Sequence, residues 1–258
     1  MKIIIPVADK FVNLIKPFVY CFQKYCPASD LEIIILHFKN AMVPYIEDVR
    51  FSYYNIGYDD PGASKWSTPI REYLLSINDG HIILWLEDQF LCREVNVKQL
   101  TELIDYMYNN PEIGSIRLIE DCFTHGPNNF SGLYKWPDLA KYYTYSTVCN
   151  MDGYNIIEPG ANRWGLVNGL IYKISSAPSI WNKEYLLKYL DQDISPWEFE
   201  INANKNDKSC FDGTKVLATT PPTLYCIEFL RRGEIWEEAL NMFDEETRET
   251  VMELYHGN

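Results

Sequence analysis

Two acids end the most apolar run in the chain: His81 to Leu86 reads HIILWL, and Glu87 and Asp88 follow at once. Such a run draws the chain through the middle of a sheet. Two adjacent carboxylates at its buried end are then costly unless a cation or hydrogen-bond donors meet them. Carboxylate oxygens together with substrate phosphates are the ligands that Mg²⁺ or Mn²⁺ accepts, and such an ion neutralises a departing diphosphate. Spacing alone equally allows a plainer reading, in which Glu87-Asp88 caps a solvated turn. A second group, Trp197-Glu198-Phe199-Glu200, sets carboxylates beside aromatic rings, where desolvation tunes a pKa for general-base work. In a helix Glu198 and Glu200 point about 200° apart, so one of them at most reaches a given site. The plainer reading here is a helix start whose acids complement the dipole.

Short apolar runs alternating with helical patterns must position these groups, which is the signature of a parallel sheet covered by helices. Lys2 to Val7 and Leu31 to Phe38 read as strands rich in β-branched residues, with a weaker strand over Phe51 to Ile56. Helices are expected over Phe11 to Tyr25, Lys65 to Ile77 and Val97 to Tyr108, and a strand over Gly114 to Ile119. Beyond residue 120 the loops lengthen and fill with Asn, Gly, Pro and Tyr. There Leu166 to Ile174 reads as a strand, Trp181 to Leu190 as a helix, Asn202 to Asp212 as a polar surface loop, and Asp244 to Tyr255 as a helix with Asp244 at its N-cap. In open α/β sheets ligands bind at the carboxyl ends of strands, and Glu87-Asp88 stands at such an end.

The blocks WSTPIREYLLSINDGHIILWLEDQF (Trp66 to Phe90), SAPSIWNKEYLLKYL (Ser176 to Leu190), SPWEFE (Ser195 to Glu200) and RRGEIWEE (Arg231 to Glu238) occur in this order over most of the chain. Together they resemble a group of GT-A-type glycosyltransferases found in bacterial surface-polysaccharide loci and in viruses. The resemblance implies a GT-A-like (Rossmann-like) α/β fold, a mixed, mostly parallel sheet flanked by helices. It also implies a nucleoside-diphosphate-sugar donor, UDP- or GDP-linked, and a glycan or lipid-linked glycan acceptor in polysaccharide biosynthesis. Asp88 then takes the part of the principal Mn²⁺ or Mg²⁺ ligand with Glu87 as its neighbour, although this chain reads Glu-Asp-Gln where the family motif is Asp-x-Asp.

By the same analogy Ala8 and Asp9 close the first strand where nucleotide bases dock, and Asp59 or Asp60 contacts the ribose. Lys65 and Trp66 open a helix whose backbone donors and ammonium can meet a phosphate or base, the plainer reading being a solvated lysine. Glu198, and after it Glu200, is the candidate base on the acceptor side, with Trp181 and Trp197 as acceptor-facing rings. One domain over 1–258 is expected, residues 1–120 forming the nucleotide-sugar half and 121–258 the acceptor half with C-terminal helices.

Composition narrows the alternatives. A net charge of −13 with no basic run disfavours DNA as a partner, so a viral enzyme that glycosylates hydroxymethylated bases is the weaker reading within the same chemistry. A non-catalytic sugar-binding protein of the same fold is the rival from another class. His37, His81, His125 and His256 show no zinc spacing, and no GxSxG elbow, P-loop or GxGxxG occurs. His125 and Asn128-Asn129 read as a surface loop. Seven cysteines without a CxxC pair, and the absence of a long apolar segment, predict a reducing, cytoplasmic setting: peripheral at the inner membrane face at most, or the host cytoplasm if viral.

Overall fold

The computed structural model describes residues 1–27, 30–119, 145–159, 174–205, 213–231 and 233–257. The first half contains β1 (Lys2–Pro6), α1 (Ile15–Tyr25), β2 (Glu32–His37), β3 (Phe51–Asn55), α2 (Ser67–Ser76), β4 (His81–Leu84), β5 (Gln89–Leu91), α3 (Val97–Asn109) and β6 (Ile113–Arg117). The second half contains β7 (Tyr145–Met151), β8 (Tyr154–Pro159), β9 (Ser179–Asn182), α4 (Lys183–Leu187), α5 (Pro196–Lys205), β10 (Lys215–Thr220) and β11 (Cys226–Glu228). Two short strands, α6 (Glu237–Leu240) and α7 (Glu245–His256) follow.

The large sheet runs β3-β2-β1-β4-β9-β6-β10-β8-β7. Strands β1 to β4 are parallel, β9 lies antiparallel between β4 and β6, and β10 is parallel to β6. Among the described strands of this sheet, only β8 and β9 therefore run against the others, which is the mixed, mostly parallel architecture expected. Runs such as Ile3-Ile4-Ile5 and Ile33-Ile34-Ile35-Leu36 are buried throughout because helices cover both faces. One face packs on α1, α3 and α7, where Phe18 meets Trp85 edge-on with ring centroids 5.9 Å apart. The other packs on α2, α4 and α5 through Ile70, Leu74, Leu186 and Phe199.

The structure corrects the sequence reading at several boundaries. Strand β4 stops at Leu84, two residues before the apolar run does. The helix expected from Trp181 begins at Lys183, because Ser179-Ile180-Trp181-Asn182 is drawn into the sheet between β4 and β6; Asn182 then caps the helix by accepting the Tyr185 N–H at 3.1 Å. The polar stretch from Asn202 starts as helix, since α5 continues to Lys205. Residues 166–173 of the expected strand lie outside the described residues, as do residues 206–212, His125 and Asn128-Asn129. The N-cap at Asp244 is found, with its carboxylate accepting the Thr247 N–H at 2.8 Å. Cys21, Cys26, Cys92, Cys149 and Cys226 are free thiols, and among the described residues no helix is long and apolar enough to cross a membrane.

Candidate active site

In β4, Leu84 is paired with Ile4 of β1 on one side and Ser179 of β9 on the other. The parallel pairing persists one residue past the strand, where the Trp85 N–H donates to the Ile4 carbonyl at 3.0 Å. The chain then reverses. The Gln89 N–H donates to the Leu86 carbonyl at 3.2 Å, which puts Glu87 and Asp88 at the two central positions of a β-turn. Partners on both sides hold this turn: the Trp85 indole N–H donates to the Gln89 carbonyl at 2.8 Å, and the Phe229 N–H donates to the Asp88 carbonyl at 2.7 Å. Strand β5 pairs with β11, setting Glu228 opposite Gln89. Two carboxylates are thus carried on a backbone with little freedom to move.

Their electrostatics are unfavourable without a partner. Burial raises the pKa of Glu87, the charge of Asp88 adds to it, and Lys10 works against the shift. Burial likewise raises Asp88, with the charge of Glu228 adding to it. Neither forms an ion pair with a described residue. Like-charged, half-buried carboxylates are a donor set that a divalent cation relieves. Among the described residues no three His, Cys, Asp or Glu side chains converge as a metal cage. Mg²⁺ is usually held by one or two carboxylates with phosphate oxygens and water completing its shell, so the turn fits an ion that binds together with a phosphate ligand.

A second acidic group lies at the end of β1, the neighbour of β4. The Ala8 carbonyl accepts the Phe11 N–H at 2.8 Å, which starts a 3₁₀ turn over Asp9–Leu14. The Asp9 N–H donates to the Asp60 carboxylate at 2.9 Å, and the other oxygen of Asp60 accepts the Gly62 N–H at 2.8 Å. Gly62 sits at φ 83°, a conformation that costs a residue with a Cβ. Asn40 donates to Asp59 at 2.6 Å. Asp9, Asp59 and Asp60 are therefore brought together, and burial followed by the charges of Asp60 and Asp59 raises the Asp9 pKa. Asp9 borders a cleft of about 610 Å³ lined also by Asn13, Lys16, Asn40, Met42 and Pro44.

The remaining expected residues gather around α5. Lys65 pairs with Asp193 at 3.2 Å, and the Trp66 ring packs on Phe199 with centroids 5.5 Å apart. Glu198 closes a capping box: it accepts the Ser195 N–H and O–H, each at 2.8 Å, while its own N–H donates to the Ser195 hydroxyl at 3.2 Å. Those bonds hold its pKa below the usual value. Glu200 accepts the Ser175 hydroxyl at 3.0 Å and the Ser176 N–H and hydroxyl, each at 2.8 Å. These serines lead into β9, and so toward the end of β4. Trp197 is 66% exposed, whereas Trp181 is 1% exposed. The expectation of an acceptor-facing ring at Trp181 is corrected by the structure: its place in β9 turns it into a core packed with Tyr185 and Phe199.

Sequence reasoning passed over Glu228, Lys10, Asn13 and Lys16. The β5–β11 ladder brings Glu228 to the turn from far along the chain, and no local pattern announces that pairing. Asn13 and Lys16, about one and two helical turns beyond Asp9, were within reach of a helix-face argument.

No protein-family model and no curated protein matches the chain. Among solved structures, a UDP-glucose pyrophosphorylase complexed with UDP-glucose aligns over 100% of this chain and 99% of its own, at 14% identity and a TM-score of 0.48. The mannosyltransferase PcManGT from Pyrobaculum calidifontis, in complex with GDP-Man and Mn²⁺, aligns over 90% of this chain and 57% of its own, at 12% identity and a TM-score of 0.48. S. aureus TarS 1–349 in complex with UDP-GlcNAc aligns over 98% and 70%, at 11% identity and a TM-score of 0.49. At that distance the likeness carries nothing about activity, and the site stands on its own contacts.

Proposed function

We propose that the chain is a glycosyltransferase that moves a sugar from a nucleoside-diphosphate-sugar to a hydroxyl of a glycan or lipid-linked glycan. The observation that carries this reading is the Glu87-Asp88 turn: two half-buried, like-charged carboxylates without an ion pair to a described residue, beyond the carboxyl end of a sheet strand. Asp88, with Glu87, would hold Mn²⁺ or Mg²⁺, which when bound supplies neutralising charge to the departing diphosphate. The nucleoside occupies the cleft beside Ala8 and Asp9, with Asp59 and Asp60 on the ribose side, in the half formed by residues 1–120. The turn follows the neighbouring strand, and Lys10, next to Asp9, is near enough to act on the charge of Glu87.

On the acceptor side Glu198 is committed to the helix cap. Glu200, anchored through Ser175 and Ser176 to the segment entering β9, is the better candidate to take the acceptor proton if the configuration inverts. The exposed Trp197 offers a face to an acceptor ring. Lys65, paired with Asp193, helps fix the start of α2 against the segment before α5.

Incubating the purified protein with a panel of UDP- and GDP-sugars, with and without Mn²⁺, tests the reading. Metal-dependent release of the nucleotide is expected. Diphosphate binding that needs no metal, or unaltered turnover by Asp88→Ala, removes it and favours a sugar-binding protein.

A further inference from the structure

The turns that close β1 and β4 are built alike and follow neighbouring strands. The Ala8 carbonyl accepts the Phe11 N–H at 2.8 Å, and the Leu86 carbonyl accepts the Gln89 N–H at 3.2 Å. Asp9 and Lys10 therefore hold the middle of the first turn, as Glu87 and Asp88 hold the middle of the second. Because β1 and β4 are parallel, with Ile4 level with Leu84, both turns leave the same edge of the sheet on strands about 4.8 Å apart. Three of these four residues are acids. Lys10 is the exception, and its charge is felt at Glu87.

Coulomb attraction draws an exposed ammonium toward such acids. Lys10 nevertheless makes no ion pair with a described acid, and its ammonium lies 4.5 Å from the centre of the Phe11 ring. The acids beyond Asp9 are already engaged, Asp60 by the Asp9 and Gly62 N–H groups and Asp59 by Asn40. Lys10 thus stands beside Glu87 without taking its oxygens from a divalent ion. Two cations in adjacent turns repel each other unless an anion lies between them. Phosphate oxygens suit both partners, since they are ligands to a hard cation and acceptors for a lysine. Lysine also carries its charge on a flexible stem, so it can follow a phosphate that moves as it departs. We propose that Lys10 binds the diphosphate of the sugar donor, its ammonium exchanging the Phe11 ring for a phosphate oxygen. This rests on the nucleotide-sugar reading above.

Calorimetric titration of the unaltered chain and of Lys10→Met with UDP and GDP in the presence of Mn²⁺ tests it. Binding of Mn²⁺ without nucleotide is followed alongside by electron paramagnetic resonance. Whichever diphosphate the unaltered chain binds is expected to bind Lys10→Met about 10-fold more weakly, the scale of one charge-assisted hydrogen bond at an exposed site. Mn²⁺ alone is expected to bind Lys10→Met at least as tightly as the unaltered chain, because a repelling charge is gone. A general loosening of the turns would instead weaken both ligands. Diphosphate affinity unchanged in Lys10→Met, or Mn²⁺ affinity falling with it, overturns the assignment of Lys10 and leaves the nucleotide-sugar reading intact. No binding of either diphosphate by the unaltered chain overturns that reading and this assignment with it. Lys10→Gln, read by the same outcomes, decides the matter if Lys10→Met does not fold.

Discussion

The turn at Glu87-Asp88 and the helix start at Ser195–Glu200 are both acidic, both beside aromatic residues, and both candidates for chemistry on spacing alone. Their surroundings separate them. Glu198 receives two hydrogen bonds from Ser195, and Glu200 is met by Ser175 and Ser176, so this region supplies donors for its own carboxylates. At the turn burial, with repulsion from Asp88 on Glu87 and from Glu228 on Asp88, raises both pKa values, and Lys10 offsets this only in part. Glu198, satisfied within its own helix start, serves the cap, and Glu200 is held against the segment entering β9; Glu87 and Asp88, which the chain leaves strained, await a ligand.

The largest effect is expected at the turn. Asp88→Asn keeps the shape and removes the charge, so sugar transfer should fall by about 100-fold or more, the scale of losing one preorganised electrostatic partner. Thermal stability should hold or rise, because a poorly compensated, half-buried charge is gone. Turnover of Asp88→Asn close to that of the unaltered chain would erase the distinction between the two regions. The opposite pattern belongs to Glu198→Ala, which loses half of the capping box and should lower the midpoint of urea unfolding. Turnover should stay within about threefold, since the Glu198 carboxylate is occupied by the cap and Glu200 is left in place. A hundredfold loss of turnover at unchanged stability would instead make Glu198 the base.

The sheet was legible because Ile3-Ile4-Ile5, Ile33-Ile34-Ile35 and Ile82-Ile83-Leu84 are continuous apolar runs bounded by turns, a strong local signal. The Glu87-Asp88 turn was legible for the same reason, as the point where such a run ends. Strand β9 was not, since four residues that pair on both sides owe their state to β4 and β6 rather than to their own pattern. Trp181 followed it into the core. The capping box at Ser195 and Glu198 was legible as S-x-x-E, yet the aromatic neighbours drew attention to catalysis first. The cleft around Asp9 needs the 3₁₀ turn, α1 and the loop at Asn40 to meet, which no single window of sequence contains.

Acidity offers a finer comparison, between Asp48 and the turn acids. Arg50 holds Asp48 down to about 2, chiefly through side-chain hydrogen bonds, so its contribution to stability is full above the ordinary carboxylate pKa of about 3.9 and disappears as pH falls toward 2. Glu87 and Asp88 have raised values, so the sign reverses: the folded chain is penalised as pH rises from about 4 through those values. Glu87→Gln should therefore stabilise the metal-free protein at pH 8 more than at pH 5, measured by urea unfolding. Equal gains at both values would mean that the turn is solvated and not strained.

The smallest effect lies at the opposite end of β4. His81 is buried, neither ring nitrogen has a partner among the described residues, its ring lies 4.4 Å from that of Tyr108, and burial lowers its pKa. As pH falls below the ordinary value of about 6.5 the unfolded chain takes up this proton first, so stability declines by at most about 1.4 kcal/mol per pH unit until the folded ring is protonated. His81→Phe keeps an aromatic against Tyr108 and removes the titration, and should flatten the pH dependence of urea unfolding between pH 7 and pH 5 without changing turnover at pH 7.5. An unchanged slope would show that His81 is hydrated in solution. A flattened slope would establish that one strand carries a neutral imidazole strained by acid at its entry and carboxylates strained by base just past its exit, with the reacting groups confined to the second end.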